Sequence, residues 1–309
     1  MLVLNPLVIK FGGYQKPASI HNCAAALFGE LLTRKFGDQI SFQLVGNVLE
    51  LGRQSGDLPQ MVQSGELSLC YISAVRFTRP VPEFKLLEFP FLVKDRKSVH
   101  QAFDGELGEL LRRRMRDSTP VRLLGLWDNG FRHLSNKVRP IRTPQDCRGL
   151  RIRTQMSDLH GEVFRALGFV PIAADVKQFV EEIAGPTFDA QDNPLTNIFN
   201  FGVHNYHRYI TLTGHFFGAT VMICNEDHYQ SWPPELQAAV NEAAREATVL
   251  QRRLAAAEDT EVLAKLDPRA NEVIHLTAAE HAAFVDAVQP VCAKYRKELD
   301  PKLFAYLNQ

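Results

Sequence analysis

The order of apolar and polar positions divides most of the chain into short strand-like runs and longer helical stripes. Residues 7–11 form a compact apolar run, followed by Ile20, Ala24, Leu27, Phe28 and Leu31 at helical spacing, closing near Gly37. Residues 40–45 read as a second strand and residues 67–73 as a third; Leu58, Met61 and Val62 mark a short helix between them, ending at Gly65. This βαβαβ rhythm predicts a parallel sheet with covering helices. After the Pro-rich stretch 80–90 a helix is expected from about residue 96 to 115, then a strand over 121–127. Asp128-Asn129-Gly130 carries turn chemistry, and residues 131–136 begin a second set of elements, with a short helix opening at Thr143-Pro144.

In that second set, a strand over 150–154 contains Arg153 and hands over to a helix with Ser157 as N-cap and Gly168 just past its end. A strand-like run, 187–190, leads into Gln191-Asp192-Asn193-Pro194, where Pro194 suits the first turn of the next helix and Asn193 suits its N-cap. The near-continuous run YITLTGHFFGATVMICN, 209–225, reads as one or two long buried strands able to cross between two domains. The longest helix is expected over 233–266, with Ser231 as N-cap and an apolar stripe through Leu236, Val240, Ala243, Ala247, Leu250 and Leu254. At roughly 1.5 Å per residue it reaches about 50 Å, longer than one small domain, so it is expected to brace both. A strand over 272–276 and the capping box Thr277-x-x-Glu280 introduce the last helices.

Composition bounds the possibilities. The chain has 309 residues, 45% of them apolar and 23% charged, which fits about two ordinary globular domains. Lys+Arg and Asp+Glu are both 35, and no basic tract suggests nucleic acid; Arg112-Arg113-Arg114 reads as a solvated helix face. No apolar run approaches the roughly 20 residues of a membrane-spanning helix. The start, MLVLNPLVIKFGG, lacks the basic opening and small-residue cleavage site of an export signal. The five cysteines are scattered and form no CxxC pair, so they read as isolated, mostly buried thiols. His204 and His207 have metal-like spacing but no third clustered ligand, and neither a metal nor a cofactor is expected. There is no GxSxG elbow, P-loop, GxGxxG or HExxH.

The remaining chemistry is anion recognition. Arg153 and Asn193 both sit where a strand meets a helix, and open α/β sheets bind ligands outside the carboxyl ends of their strands. An Arg fork and an Asn amide placed there can hold a carboxylate between them, yet supply neither nucleophile nor general base. By the same rule Tyr14 and His21, after the first strand, can face a ligand. Trp127, Phe216 and Phe217 either line a cleft or fill the core, while Asp128 and Asp189 suit turns or strand ends.

Several segments together resemble the substrate-binding proteins of TRAP transporters, the dicarboxylate-binding DctP type: WDNGFRHLSN, RPIRTPQDCRGLRIR, FDAQDNPLTNI, YITLTGH and WPPELQAAVNEAAREAT. The resemblance covers almost the whole chain. It implies a two-domain, periplasmic-binding-protein-like α/β fold, with 1–129 plus 219–258 as one domain and 130–218 plus 259–309 as the other. It also implies that a small organic acid binds in an interdomain cleft with Arg153 on its carboxylate, helped by Asn193 and Arg132. Hinge closure, a periplasmic location and delivery to TRAP membrane subunits are implied too. Trp127, Asp128, Phe216, Tyr14 and His21 complete the candidate ligand set, and Asn197 offers a further hydrogen bond. A monomer is expected. Ala190 stands where the family usually has Gly, and Gln178-Phe179-Val180 offers no hydroxyl where the family often places Tyr. Uronates and other sugar acids, C4-dicarboxylates, keto acids and aromatic acids all remain open as ligands, with a slight lean to a polar acid. A soluble organic-acid sensor and an α/β enzyme acting on a carboxylate are the rival functions.

Overall fold

The computed structural model describes residues 6–307. The reading of the first thirteen residues as lacking an export signal rests partly on residues 1–5, which lie outside the described residues. The strands are β1 (Leu7–Gly12), β2 (Ile40–Val45), β3 (Leu69–Ser73), β4 (Val121–Asn136), β5 (Arg151–Thr154), β6 (Val170–Ala173), β7 (Ala190–Pro194), β8 (Tyr209–Asn225) and β9 (Glu272–Ile274). The helices are α1 (Ile20–Phe36), α2 (Leu58–Gln63), α3 (Arg96–Asp104), α4 (Glu106–Ser118), α5 (Asp158–Ala166), α6 (Val176–Glu181), α7 (Leu195–Asn200), α8 (Glu226–Ser231), α9 (Pro234–Lys265) and α10 (Ala278–Arg296).

The chain forms two compact units. The first takes the described chain up to Ala74, Glu109–Asp128 and Thr220–Ala255; the second takes Val75–Gly108, Asn129–Ala219 and the chain from Ala256. Strands β4 and β8 and helix α9 each contribute to both.

In the first unit β1 pairs in parallel with β2 and β3, and β3 pairs antiparallel with the end of β8, from Leu69 opposite Cys224 to Ser73 opposite Thr220. Helix α1 buries Ile20, Ala24, Phe28 and Leu32, one per turn, and Ser19 caps its start by accepting from the Asn22 N–H. Phe11 meets Phe28 edge-on at 5.6 Å and lies 6.5 Å from Trp127, which places the apolar centre of this unit between α1 and the sheet.

In the second unit the end of β4 pairs antiparallel with β7, which pairs in parallel with β5, and β5 with β6; β9 adds to the start of β8. Phe179, Phe188, Ile198, Val203, Ile210 and Val262 form its core.

Several local expectations are corrected. The Asp128-Asn129-Gly130 turn does not exist, because β4 runs unbroken through it. Asp128 is buried, and the Gln251 side chain accepts from its N–H at 2.8 Å and donates to its carbonyl at 2.5 Å. Gly130, at φ 95°, absorbs a local distortion within the strand. The strand expected at 187–190 lies later, at β7, where pairing to β4 and β5 fixes it; Asp189 instead forks Arg151 at 2.8 Å from both ends. Asn193 is therefore a strand residue, and Pro194 occupies the cap position of α7. The helix expected over 96–115 breaks at Gly105 into α3 and α4, and Ser231 ends α8 with its hydroxyl donating to the His228 carbonyl rather than capping α9. The sheet of the first unit is mixed, since β8 joins it antiparallel.

The expected domain division differs over Val75–Gly108, which groups with the second unit. Lys85 pairs with Glu298 at 2.7 Å, Phe89 packs edge-on against Phe304 at 5.0 Å, and Arg96 pairs with Asp259 at 2.7 Å. These partners lie far along the chain, beyond the reach of local periodicity.

Candidate functional site

Arg153 lies in β5, opposite Gln191 of the parallel neighbour β7. In-register strand neighbours share a face, and alternation puts Asn193 on that face and Asp192 on the other. The Arg153 side chain is buried, its guanidinium lies 5.6 Å from the Phe179 ring, and its Nε and Nη2 donate to the Ala174 carbonyl at 3.0 and 2.7 Å. Three of the roughly five N–H donors of a guanidinium are left over. Among the described residues no carboxylate pairs with it. Burial pulls its pKa down to about 10, with Asp192 opposing the shift, so it stays cationic at neutral pH.

A hydrogen-bonded row fixes Asn193. His207 Nδ1 lies 3.0 Å from Ser135 Oγ, which accepts from Gln191 Nε2 at 2.6 Å. Gln191 Oε1 accepts from Asn193 Nδ2 at 2.5 Å, and Asn193 Oδ1 accepts from Asn197 Nδ2 at 3.3 Å. One Asn193 N–H is left to meet a ligand oxygen.

Arg132 belongs to the opposite face. Its Nε donates to Asp192 Oδ2 at 2.5 Å and its Nη2 to the Asp192 carbonyl at 2.6 Å. His215 Nε2 lies 3.5 Å from the same carboxylate oxygen, and its Nδ1 lies 2.6 Å from Thr213 Oγ1. Burial alone would raise the Asp192 pKa, but the Arg132 charge and the hydrogen bonds outweigh it and hold the carboxyl well below the usual range. Phe216 is buried under the His160 ring, stacked at 4.0 Å, and packs edge-on to Phe164 at 6.0 Å.

The second unit thus brings together Arg153, Asn193, Arg132 and Phe216, while Trp127, Asp128, Tyr14 and His21 gather in the first. The Trp127 indole is fully buried and donates to Thr248 Oγ1 at 3.0 Å. His21 stacks on Tyr71 at 5.1 Å, is fully buried, and has no hydrogen-bond partner for either ring nitrogen among the described residues. Burial lowers its pKa to about 4, with the Asp128 charge opposing, so the imidazole is neutral. Tyr14 lies 5.5 Å from the Tyr71 ring.

Asp192, Asp175, His215 and Phe179 lie among these residues without a motif in the sequence that marks them. The alternation within Gln191-Asp192-Asn193 was the available signal for Asp192: if Asn193 faces one side, its neighbour faces the other. His204 and His207 do not pair as ligands. His204 stacks on Phe199 at 4.6 Å, and among the described residues no cluster of three or more potential ligands could hold a metal ion.

Residues 11–298 match the model of the bacterial extracellular solute-binding protein family 7, DctP. The chain belongs to this family. It is 26% identical over 280 residues to the 2,3-diketo-L-gulonate-binding periplasmic protein YiaO of Escherichia coli K12, covering 91% of this chain and 84% of the relative. It is 26% identical over 288 residues to the C4-dicarboxylate-binding periplasmic protein DctP of Rhodobacter capsulatus, covering 93% and 85%. In fold it is similar to the sugar acid binding protein DctPAm of Advenella mimigardefordensis, solved in complex with galactonate. The TM-score is 0.93 at 21% identity, with 99% of this chain and 98% of that one covered. The family is one of extracellular solute-binding proteins, and these relatives are named as binding proteins rather than enzymes.

Proposed function

We propose that this protein is the extracytoplasmic receptor of a TRAP transporter and binds a small organic acid through Arg153. The carrying observation is the state of that arginine: buried, cationic, fixed by the Ala174 carbonyl and without a carboxylate of its own among the described residues. A buried cation is costly unless paired. The ligand carboxylate supplies the pair, forked by the remaining N–H donors. Asn193, held by Gln191, donates its last N–H to the same carboxylate. Arg132 orders this end of the strands by tying Asp192 to β4. The family membership supports a periplasmic location and handover to membrane subunits. Among the described residues no helix is long and apolar enough to cross a membrane, which fits a receptor that needs separate membrane partners.

Thermal unfolding against a library of organic acids tests the proposal. A ligand at about 100 times its Kd adds roughly 2.7 kcal/mol of stability. A folded protein that no acid stabilises would sink the reading. With a ligand in hand, Asn193→Ala is expected to weaken binding by about 1.5–3 kcal/mol, the range for a hydrogen bond to a charged group. Calorimetry showing unchanged affinity would remove Asn193 from the site.

A further inference from the structure

An asparagine amide meets a carboxylate favourably only one way round. Its nitrogen donates and its oxygen accepts, so a half-turn of the amide sets oxygen against oxygen. Whatever holds the Asn193 amide in place therefore bears on binding. The row behind it has a single polarity. Asn197 Nδ2 donates to Asn193 Oδ1 at 3.3 Å, Asn193 Nδ2 donates to Gln191 Oε1 at 2.5 Å, and Gln191 Nε2 donates to Ser135 Oγ at 2.6 Å. Reversing Asn193 alone would set its oxygen against Gln191 Oε1 and its nitrogen against Asn197 Nδ2. Gln191 keeps its own orientation by giving an N–H to Ser135, whose Oγ lies 3.0 Å from His207 Nδ1 at the inner end of the row.

The sheet builds this row beside the anchor. Ser135 pairs with Gln191 across β4 and β7, and Gln191 pairs with Arg153 across β7 and β5. Three neighbours on one face thus carry the anchor, the amide that holds Asn193 and the hydroxyl that holds that amide. All of these residues belong to the second unit. Exposure follows the same order: Ser135, Gln191 and His207 are at 0%, while Asn193 and Asn197 are each at 3%. The row is closed behind and reaches its surface at Asn193. Stability alone does not call for such a row. Buried polar groups are costly unless paired, and apolar side chains of the same shape at both positions can be equally stable.

We propose that Ser135 and Gln191 are positioning residues of the acid site: through them the Asn193 amide is held with its remaining N–H, rather than its oxygen, toward the bound carboxylate. Both act through Asn193 and not on the acid itself. The inference rests on the reading of Asn193 as a ligand contact given above.

Isotope labelling of the asparagine side chains, with the Asn193 signal assigned by its loss in Asn193→Ala, reads the amide by NMR without any added acid. In the wild type one Asn193 side-chain proton is expected to be protected from solvent exchange, the one given to Gln191. Ser135→Ala, checked for folding by circular dichroism, is expected to lose that protection, and Ser135→Thr, which keeps the hydroxyl, to retain it. Calorimetry then reads affinity, with galacturonate, succinate, pyruvate and benzoate as probes. The probe that binds the wild type most tightly is expected to bind Ser135→Ala about three- to tenfold more weakly, the loss of roughly one neutral hydrogen bond. On top of Asn193→Ala the same change is expected to cost nothing further, because the two act as one unit. Unchanged protection in folded Ser135→Ala, or a loss of affinity that persists in full on the Asn193→Ala background, overturns the positioning role and leaves the acid-receptor reading standing. Should Ser135→Ala unfold, Gln191→Met, which keeps the length of the side chain but offers Asn193 no oxygen, is read in the same way. An Asn193 amide that exchanges freely in the wild type overturns the inference whatever the variants do. If neither these probes nor any acid of the screening library binds the folded wild type, the acid-receptor reading fails and this inference with it.

Discussion

Arg153→Ala is expected to lose acid binding while keeping the fold. The substitution removes a buried cation that no carboxylate among the described residues pairs with, so folding has little to lose. The ligand, by contrast, loses the partner of its charge. Truncating one member of a buried, hydrogen-bonded charge pair costs about 2–5 kcal/mol, roughly 30-fold to several-thousand-fold in affinity. Arg153→Lys is expected to bind poorly as well. An ammonium keeps the charge but cannot reach the Ala174 carbonyl with two nitrogens and fork a carboxylate in the same plane. Calorimetry with an acid that stabilises the wild type decides the matter. Near-native affinity in the Ala variant, with circular dichroism unchanged, would mean that the anchor is another residue.

Acid is expected to destabilise the protein from about pH 6.5 downward, before most of its carboxylates titrate. Burial lowers the pKa of His21 to about 4, of His133 to about 3 and of His207 to about 4, and lowers that of His215 as well. One of them accepts a hydrogen bond that protonation removes: the Gly214 N–H donates to His133 Nδ1 at 3.0 Å. An unfolded histidine takes up its proton near pH 6.5. Between that pH and about 4 the unfolded chain therefore binds more protons than the folded one, and stability falls as pH falls. Each group contributes up to about 1.4 kcal/mol per pH unit. His21, His133 and His207 acting together can remove much of a stability of about 5–15 kcal/mol by pH 4, and His215 adds in the same direction. Asp192, whose folded pKa is depressed, adds a further loss only below about pH 4. Denaturant titrations from pH 7 to 4 should show a steep decline beginning near 6.5. A flat profile down to pH 4.5 would mean that these rings are protonated in the folded state.

Much of the fold was legible where one face of an element is apolar and its ends are punctuated. Helix α1 with Gly37 behind it, β2, α5 behind Ser157 and the Thr277–Glu280 box of α10 follow from spacing and capping alone. The errors fall where tertiary partners replace local ones. Asp128 and Asn129 look like a turn, but Gln251, more than a hundred residues on, satisfies the Asp128 backbone and lets β4 continue. The sequence also showed Arg153 and Asn193 near strand ends, yet not that they share a face while Arg132 is committed to Asp192 on the other. That separation depends on the pairing register of β7, which only the assembled sheet sets.

The most direct test of the receptor assignment is to titrate the wild-type protein calorimetrically with the acid that stabilises it most, then to recover and identify the bound acid. The expected result is saturable binding of one acid per chain, with the acid recovered chemically unchanged. Recovery of a new product, or no acid that binds at all, would contradict it.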